Sequence, residues 1–169
     1  MPNLVIIVMG VSGCGKTTSG QALSEALDIP FFDADDYHPP SNITKMKSGH
    51  ALNDKDRQPW LETLATLLVA QQQTTGAILA CSALKAAYRQ TLEQQLQAPA
   101  QWVHLVGDQE TILARMQARA GHFMPSKLLA SQFETLESPT DALDVPITWS
   151  LGEQLNFIVG NIGHSGSYS

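Results

Sequence analysis

Two cysteines in 169 residues, Cys14 and Cys81, are too few for a disulfide framework. They predict reduced thiols in a cytoplasmic protein. Basic residues are also scarce: ten Lys and Arg face 16 Asp and Glu, for a formal net charge of −6. That excludes the broad basic face that non-specific nucleic-acid binding needs. It also makes each cation informative, because an anionic ligand must be held by a few of them. The histidines, His38, His50, His104, His122 and His164, show no paired metal-ligand spacing. No apolar run approaches the roughly 20 residues of a membrane span. The run at 4–9 has no basic flank and no small-residue cleavage site, so neither a membrane segment nor a signal peptide is expected. Internal repeats and low-complexity tracts are absent. The length is that of one domain, taken as 1–169, with enough chain to bury a core.

Against these absences stands one dense motif. Gly10-Val11-Ser12-Gly13-Cys14-Gly15-Lys16-Thr17 has Gly, Gly, Lys and Thr at the spacing of a phosphate-binding P-loop. Its glycines let the backbone turn tightly and aim N–H groups inward as a nest for phosphate oxygens. Lys16 reaches the β- and γ-phosphates, and the Thr17 hydroxyl suits Mg²⁺. The loop should open into a helix whose positive end faces the same anion. The candidate ATP-binding set is therefore Gly10, Ser12, Gly13, Cys14, Gly15, Lys16, Thr17 and Thr18. The uncharged run before the loop suits a buried parallel strand, and Ala22, Leu23, Ala26 and Leu27 after it share one helical face.

Along the rest of the chain, apolar strands alternate with helical patterns. Strands are expected at 30–33, 77–81, 101–106 and 145–149. Helices are expected at 42–49, 57–73, 85–96, 108–119 and 126–136, and from 151 to about 162. Asp56, Asp108 and Ser150 are candidate N-caps, and Trp60 falls on the core face of its helix. The tail at 163–169 is small and polar and should fray. Alternation of this kind implies right-handed crossovers and a five-stranded parallel sheet in a three-layer α/β/α fold. Ligands of such sheets collect at the carboxyl ends of the strands. The segments 10–17, 33–36 and 82–85 follow the first three strands and should converge on one crevice.

Many P-loop motors and switches place an Asp after an apolar strand to help hold Mg²⁺. Strand three here ends in Cys81-Ser82 instead, and Asn-Lys-x-Asp and Asp-x-x-Gly are absent. The acids follow strand two, at Asp33 and Asp35. That suits a small-molecule kinase, with one carboxylate orienting Mg²⁺ and the other accepting a proton from the attacking hydroxyl.

Seven blocks carry a family resemblance. They are the P-loop with Met9, then Asp35-Asp36-Tyr37-His38-Pro39 and Asn42-Ile43-Thr44-Lys45-Met46. Next come Leu52-Asn53-Asp54-Lys55-Asp56-Arg57-Gln58-Pro59-Trp60-Leu61 and Cys81-Ser82-Ala83-Leu84-Lys85 with Tyr88-Arg89. The last two are Ala118-Arg119-Ala120-Gly121-His122-Phe123 and Gln132-Phe133-Glu134-Thr135-Leu136-Glu137. Together they resemble the P-loop gluconate kinases, with shikimate and nucleoside monophosphate kinases as more distant kin. Asp-Gly-Phe-Pro-Arg of adenylate kinases and Gly-Gly-Gly after strand three of shikimate kinases are both missing. The resemblance spans about 4–150 and implies ATP-dependent phosphorylation of the 6-hydroxyl of D-gluconate. It also implies a homodimer and a helical lid near 119–125. Residues 39–60 would cover the substrate.

On that resemblance, Lys16, Asp35 and Arg119 are the catalytic candidates, Asp35 as general base. Thr17 and Asp33 are assigned to Mg²⁺, and Asp36 to a loop or cap. Arg57 supplies a fork for the gluconate carboxylate, since Arg binds it bidentately. His38, Lys45, Ser82, Lys85 and Gln132 join it against the polyol acid. Arg115 and Arg119 lie one helical turn apart, placed to close on the ATP phosphates. His122 holds either the lid or the substrate. Composition and spacing alone do not choose gluconate. A kinase for another small hydroxylated acid, such as shikimate, and a non-catalytic nucleotide-binding regulator both remain open from the residues themselves.

Overall fold

A computed structural model of the chain describes residues 2–118 and 126–166. Its strands are β1 (Val5–Met9), β2 (Phe31–Asp33), β3 (Ala77–Ala80), β4 (Gln101–Val106) and β5 (Leu143–Pro146). They form one parallel sheet in the order β2-β3-β1-β4-β5. β1 is central and buried along its whole length, which is why it can be uncharged and apolar throughout. Its alternate residues serve two cores, as the strand period of two requires. Val5, Ile7 and Met9 pack with Leu61, Leu64 and Leu68 of α3 (Asp54–Thr74) and Leu92 of α4 (Ala86–Glu93). Ile6 and Val8 pack on the opposite face with Leu23 of α1 (Lys16–Leu27). The same core takes in Ile112, Leu129 and Ile158. These come from α5 (Gln109–Ala118), α6 (Ser126–Thr135) and α7 (Leu151–Gly166). Helices thus cover both faces of the sheet, the expected three layers.

Several boundaries differ from the sequence expectation. The N-cap of α3 is Asn53, not Asp56. The Asn53 side chain accepts from the Asp56 N–H at 2.8 Å, and the Asp56 carboxylate accepts from the Asn53 N–H at 2.9 Å. This reciprocal capping box starts the helix three residues early and makes Asp56 its third residue. β5 lies two residues upstream of 145–149, because Leu143 to Pro146 are the residues that pair with Val103 to Val106. α4 is shorter at both ends than 85–96, and α7 runs on to Gly166 rather than fraying after 162. Residues 167–169 lie outside the described part. The caps expected at Asp108 and Ser150 are present. Asp108 accepts from the Thr111 N–H at 2.7 Å, and Ser150 exchanges bonds with Glu153. Trp60 is a core residue whose Nε1 donates to the Ala34 carbonyl at 2.7 Å.

Between β2 and α3, a short 3-10 helix (Ala34–Tyr37) and α2 (Pro40–Lys47) lie on the chain's path over the carboxyl ends of the strands. Pro40 at the first helical position fixes where α2 starts.

Candidate active site

The P-loop turns sharply between β1 and α1. Gly13 and Gly15 have φ of +80° and +98°, values that side chains resist. A Cβ on Gly13 would lie 2.6 Å from Cγ of Met116 on α5, so the loop is also pressed against that helix. The Lys16 ammonium donates to the carbonyls of Gly10 and Val11, each at 3.0 Å. Gly10 in turn donates to the Ser82 carbonyl at 3.3 Å, tying the loop to the segment after β3. Cys14 and Cys81 are buried free thiols. Burial pushes the Cys14 thiol up despite Lys16 beside it, and pushes Cys81 up to about 12, so neither is a nucleophile here.

Asp33 joins this loop to the acids after β2. One of its oxygens accepts from the Thr17 hydroxyl at 3.2 Å, and the other accepts from the Asp35 N–H at 3.0 Å. The second bond caps the 3-10 helix and fixes where Asp35 leaves the backbone. Asp35 as a residue reaches the surface, yet its carboxyl is pushed above the ordinary range. Burial is the largest cause, followed by Asp33, while Lys16 and His38 oppose it. A carboxylate raised in this way has the tuning of a general base.

His38 is the bridge to the far side of the site. It stacks on Trp60, with centroids 4.2 Å apart and planes at 14°. The Asn42 amide donates to its Nδ1 at 3.3 Å, which sets the neutral tautomer with the proton on Nε2. Burial lowers the pKa of His38, Asp35 raises it and Arg57 lowers it further. His38 therefore feels both the candidate base and the candidate anion fork.

The cations expected for the acid substrate are brought together, but around carboxylates of the chain itself. Arg57 donates to the Tyr88 hydroxyl at 2.9 Å and lies 3.9 Å from Asp54. Lys85 pairs with Asp54 at 3.1 Å, and the Tyr88 hydroxyl donates to Asp54 as well. These bonds hold the Asp54 carboxyl below the usual range, Tyr88 first and Lys85 next. Lys45 pairs with Asp56 at 2.5 Å. Ser82 lies half-buried beside the P-loop.

Two candidate residues have partners elsewhere in the chain. Gln132 reaches the P-loop, where it bonds to Ser12. The Arg115 guanidinium donates to the Ile147 carbonyl beyond β5, at 2.6 Å, and not to the phosphate loop. Both follow from helix orientation, which residue spacing does not reveal. Arg119 and His122 lie outside the described residues. Sequence reasoning missed Asp54 and Tyr88. The three-residue spacing of Asp54 and Arg57 at a helix start was the available signal.

Mg²⁺ fits this donor set. Among the described residues no group of three or more His, Cys, Asp or Glu forms a metal cage. A paired hydroxyl and carboxylate beside a phosphate nest is instead what Mg²⁺ uses, with phosphates and waters completing the shell. Among the described residues no helix is long and apolar enough to cross a membrane.

Fold and site together define the class: a P-loop small-molecule kinase with a pair of carboxylates after β2 beside its phosphate loop. The comparisons agree. The shikimate kinase family model matches residues 12–137. The thermosensitive gluconokinase of Escherichia coli K12 is 51% identical over 135 residues, covering 79% of this chain and 71% of that protein. The gluconokinase of Gluconobacter oxydans is 43% identical over 150 residues, covering 88% and 83%. Among solved structures, a gluconokinase from Sinorhizobium meliloti 1021 superposes with a TM-score of 0.84 at 38% identity, covering 96% of this chain and 97% of that one. The chain belongs to the gluconokinase family of P-loop kinases.

Proposed function

We propose that this protein transfers the γ-phosphoryl group of ATP to the 6-hydroxyl of D-gluconate, giving 6-phospho-D-gluconate and ADP. The observation that carries the reading is the Asp33 carboxylate, bonded at once to Thr17 of the donor loop and to the backbone of Asp35. It sets a candidate base against a phosphate site. The choice of gluconate rests on the relatives named above.

In this reading the loop N–H groups and Lys16 hold the ATP phosphates. Asp35 accepts the proton of the 6-hydroxyl as its oxygen bonds to phosphorus and the bond to the β-phosphate oxygen breaks. Thr17 and Asp33 would hold Mg²⁺, which when bound would supply charge neutralisation on the phosphates. Arg57 and Lys85 exchange their contact with Asp54 for the substrate carboxylate, and His38 and Ser82 face the polyol. Arg119, next to Ala118 in sequence, supplies the covering positive charge. The protein works as a homodimer in the cytoplasm. Two free buried thiols support that compartment, and a net charge of −6 argues against nucleic acid as a partner.

The test is a coupled ADP-release assay across gluconate, shikimate, glycerate and nucleoside monophosphates. Gluconate should be the preferred acceptor. Arg57→Ala should raise KM for gluconate by more than tenfold and leave that for ATP within about twofold, as expected for loss of a charge-assisted fork. Faster turnover of shikimate, or no turnover of any acceptor, would sink the proposal.

A further inference from the structure

α6 carries a polar residue in an apolar stripe. Leu129 is fully buried, and Phe133 and Leu136 are packed against the same core. Gln132 falls between them on that face, where a helix normally places another apolar side chain. Its partners explain the exception. Its Oε1 accepts from the Ser12 N–H at 2.7 Å, and its Nε2 donates to the Ser12 hydroxyl at 3.0 Å. One carboxamide thus bonds both the backbone N–H and the hydroxyl of a single P-loop residue across 120 positions of sequence.

The neighbouring residue is held by a second helix. Gly13 sits against Met116 and Ile112 of α5, with no room for a Cβ. The tip of the phosphate loop is therefore held by both α5 and α6. Ser12 N–H is already taken by Gln132, which leaves the nest to the N–H groups that follow. At the far end of α6, the Glu137 N–H donates to the Leu84 carbonyl at 2.8 Å, and the Glu137 carboxylate accepts from the Ala86 N–H at 2.7 Å. α6 is thus tied to the donor loop near its middle and to the segment after β3 just past its end.

We infer that Gln132 is a positioning residue for the donor nucleotide: through Ser12 it fixes the phosphate loop in its binding shape, and it makes no contact with gluconate. The inference rests on the P-loop being the ATP site, as proposed above, but not on which acceptor is used.

Nucleotide binding without turnover provides the test. Calorimetric titration of ADP and of a non-hydrolysable ATP analogue, each with Mg²⁺, is run on the wild type, Gln132→Leu and Gln132→Asn. Asn keeps the amide but is one methylene too short to hold both bonds. Loss of two ordinary hydrogen bonds corresponds to roughly a tenfold weaker Kd for the Leu variant, with Asn between it and the wild type. KM for ATP should rise in parallel, and KM for gluconate should stay within about twofold. In a Ser12→Ala background the cost of Gln132→Leu should shrink, because half of the clamp is already gone. Unchanged nucleotide Kd in folded Leu and Asn variants would overturn the inference. So would a rise in KM for gluconate alone. If the wild type binds nucleotide but does not phosphorylate gluconate, the functional proposal fails while the binding comparison still tests Gln132.

Discussion

Arg89→Leu is the substitution whose cost can be worked out most directly. Arg89 is only 9% exposed and has no carboxylate within ion-pair distance among the described residues. Its guanidinium donates instead to the carbonyls of Ala83 at 2.7 Å, Leu84 at 3.3 Å and Glu137 at 2.7 Å. Burial lowers its pKa, and the more distant Glu137 and Asp141 partly offset that. A hydrogen bond from a charged donor contributes about 1.5–3 kcal/mol, so the two short ones amount to roughly 3–6 kcal/mol. Removing a buried, unpaired charge returns part of that. The net cost should be about 2–4 kcal/mol, which for a chain of this size lowers Tm by roughly 5–15 °C. A functional consequence follows from Ala83, whose φ of +46° is left-handed and unfavourable for any residue with a Cβ. Arg89 holds the carbonyl of that residue, and its neighbour Ser82 accepts from Gly10 of the P-loop. Activity should therefore fall even at temperatures where Arg89→Leu is folded. Arg89→Lys should recover only part, since one ammonium cannot span three carbonyls. Adding Ala83→Gly to Arg89→Leu should restore about 1 kcal/mol by removing the left-handed penalty. Thermal unfolding followed by circular dichroism reads all four proteins. An Arg89→Leu melt within 2 °C of wild type, on the scale just given, would refute the reasoning.

Asp35→Asn should lower kcat by about 10²–10⁴-fold with little change in KM for ATP, the usual contribution of a general base. In the wild type the acid limb of kcat/KM should lie above the ordinary Asp range, because burial and Asp33 raise this carboxyl. The sign is fixed by the chemistry: protonated Asp35 cannot accept the hydroxyl proton, so the rate falls as pH drops through the raised pKa. Near-normal turnover of the Asn variant, or an acid limb below the ordinary range, would remove Asp35 from the role. Gly13→Ala should weaken nucleotide binding more than about tenfold, since the new Cβ meets Met116 and the φ of +80° is strained at any Cβ-bearing residue. Met116→Ala in the same chain makes space but leaves the backbone strain, so it should rescue only part. Full rescue would mean that the clash alone matters.

The sheet was legible because β1 and β3 are short apolar runs, because β4 is mostly apolar and stopped by Gly107, and because a P-loop dictates strand before and helix after. The donor half was legible for the same reason: its atoms are mostly backbone, and glycine spacing encodes backbone shape. Side-chain partners across elements were not. Gln132 and Ser12 are 120 residues apart, and nothing in either segment says that one helix face will meet that loop. Arg115 was read by its distance from Arg119 along a helix, but the helix turns it toward β5. The capping box at Asn53 and Asp56 shows a nearer miss. The pair was visible in sequence, yet the outer member was passed over in favour of the inner one.

On the proposed reading, the acceptor half accounts for how a protein with net charge −6 would hold an anionic substrate. Its cations are not left bare. Arg57, Lys85 and Tyr88 converge on Asp54, and Lys45 on Asp56. Asp54 is two-thirds exposed, so water screens the contact and a second carboxylate can take its place at small cost. The Arg57–Tyr88 bond is different. It is half-buried, neutral on one side, and holds the guanidinium at Tyr88 whichever carboxylate is present. Tyr88 is itself fixed because its ring is buried in the core beside Leu92. The fork is therefore anchored by packing rather than by its counter-ion. In the proposed reading, that division lets the chain's own acid offset one of the two cations and still give way to the substrate carboxylate.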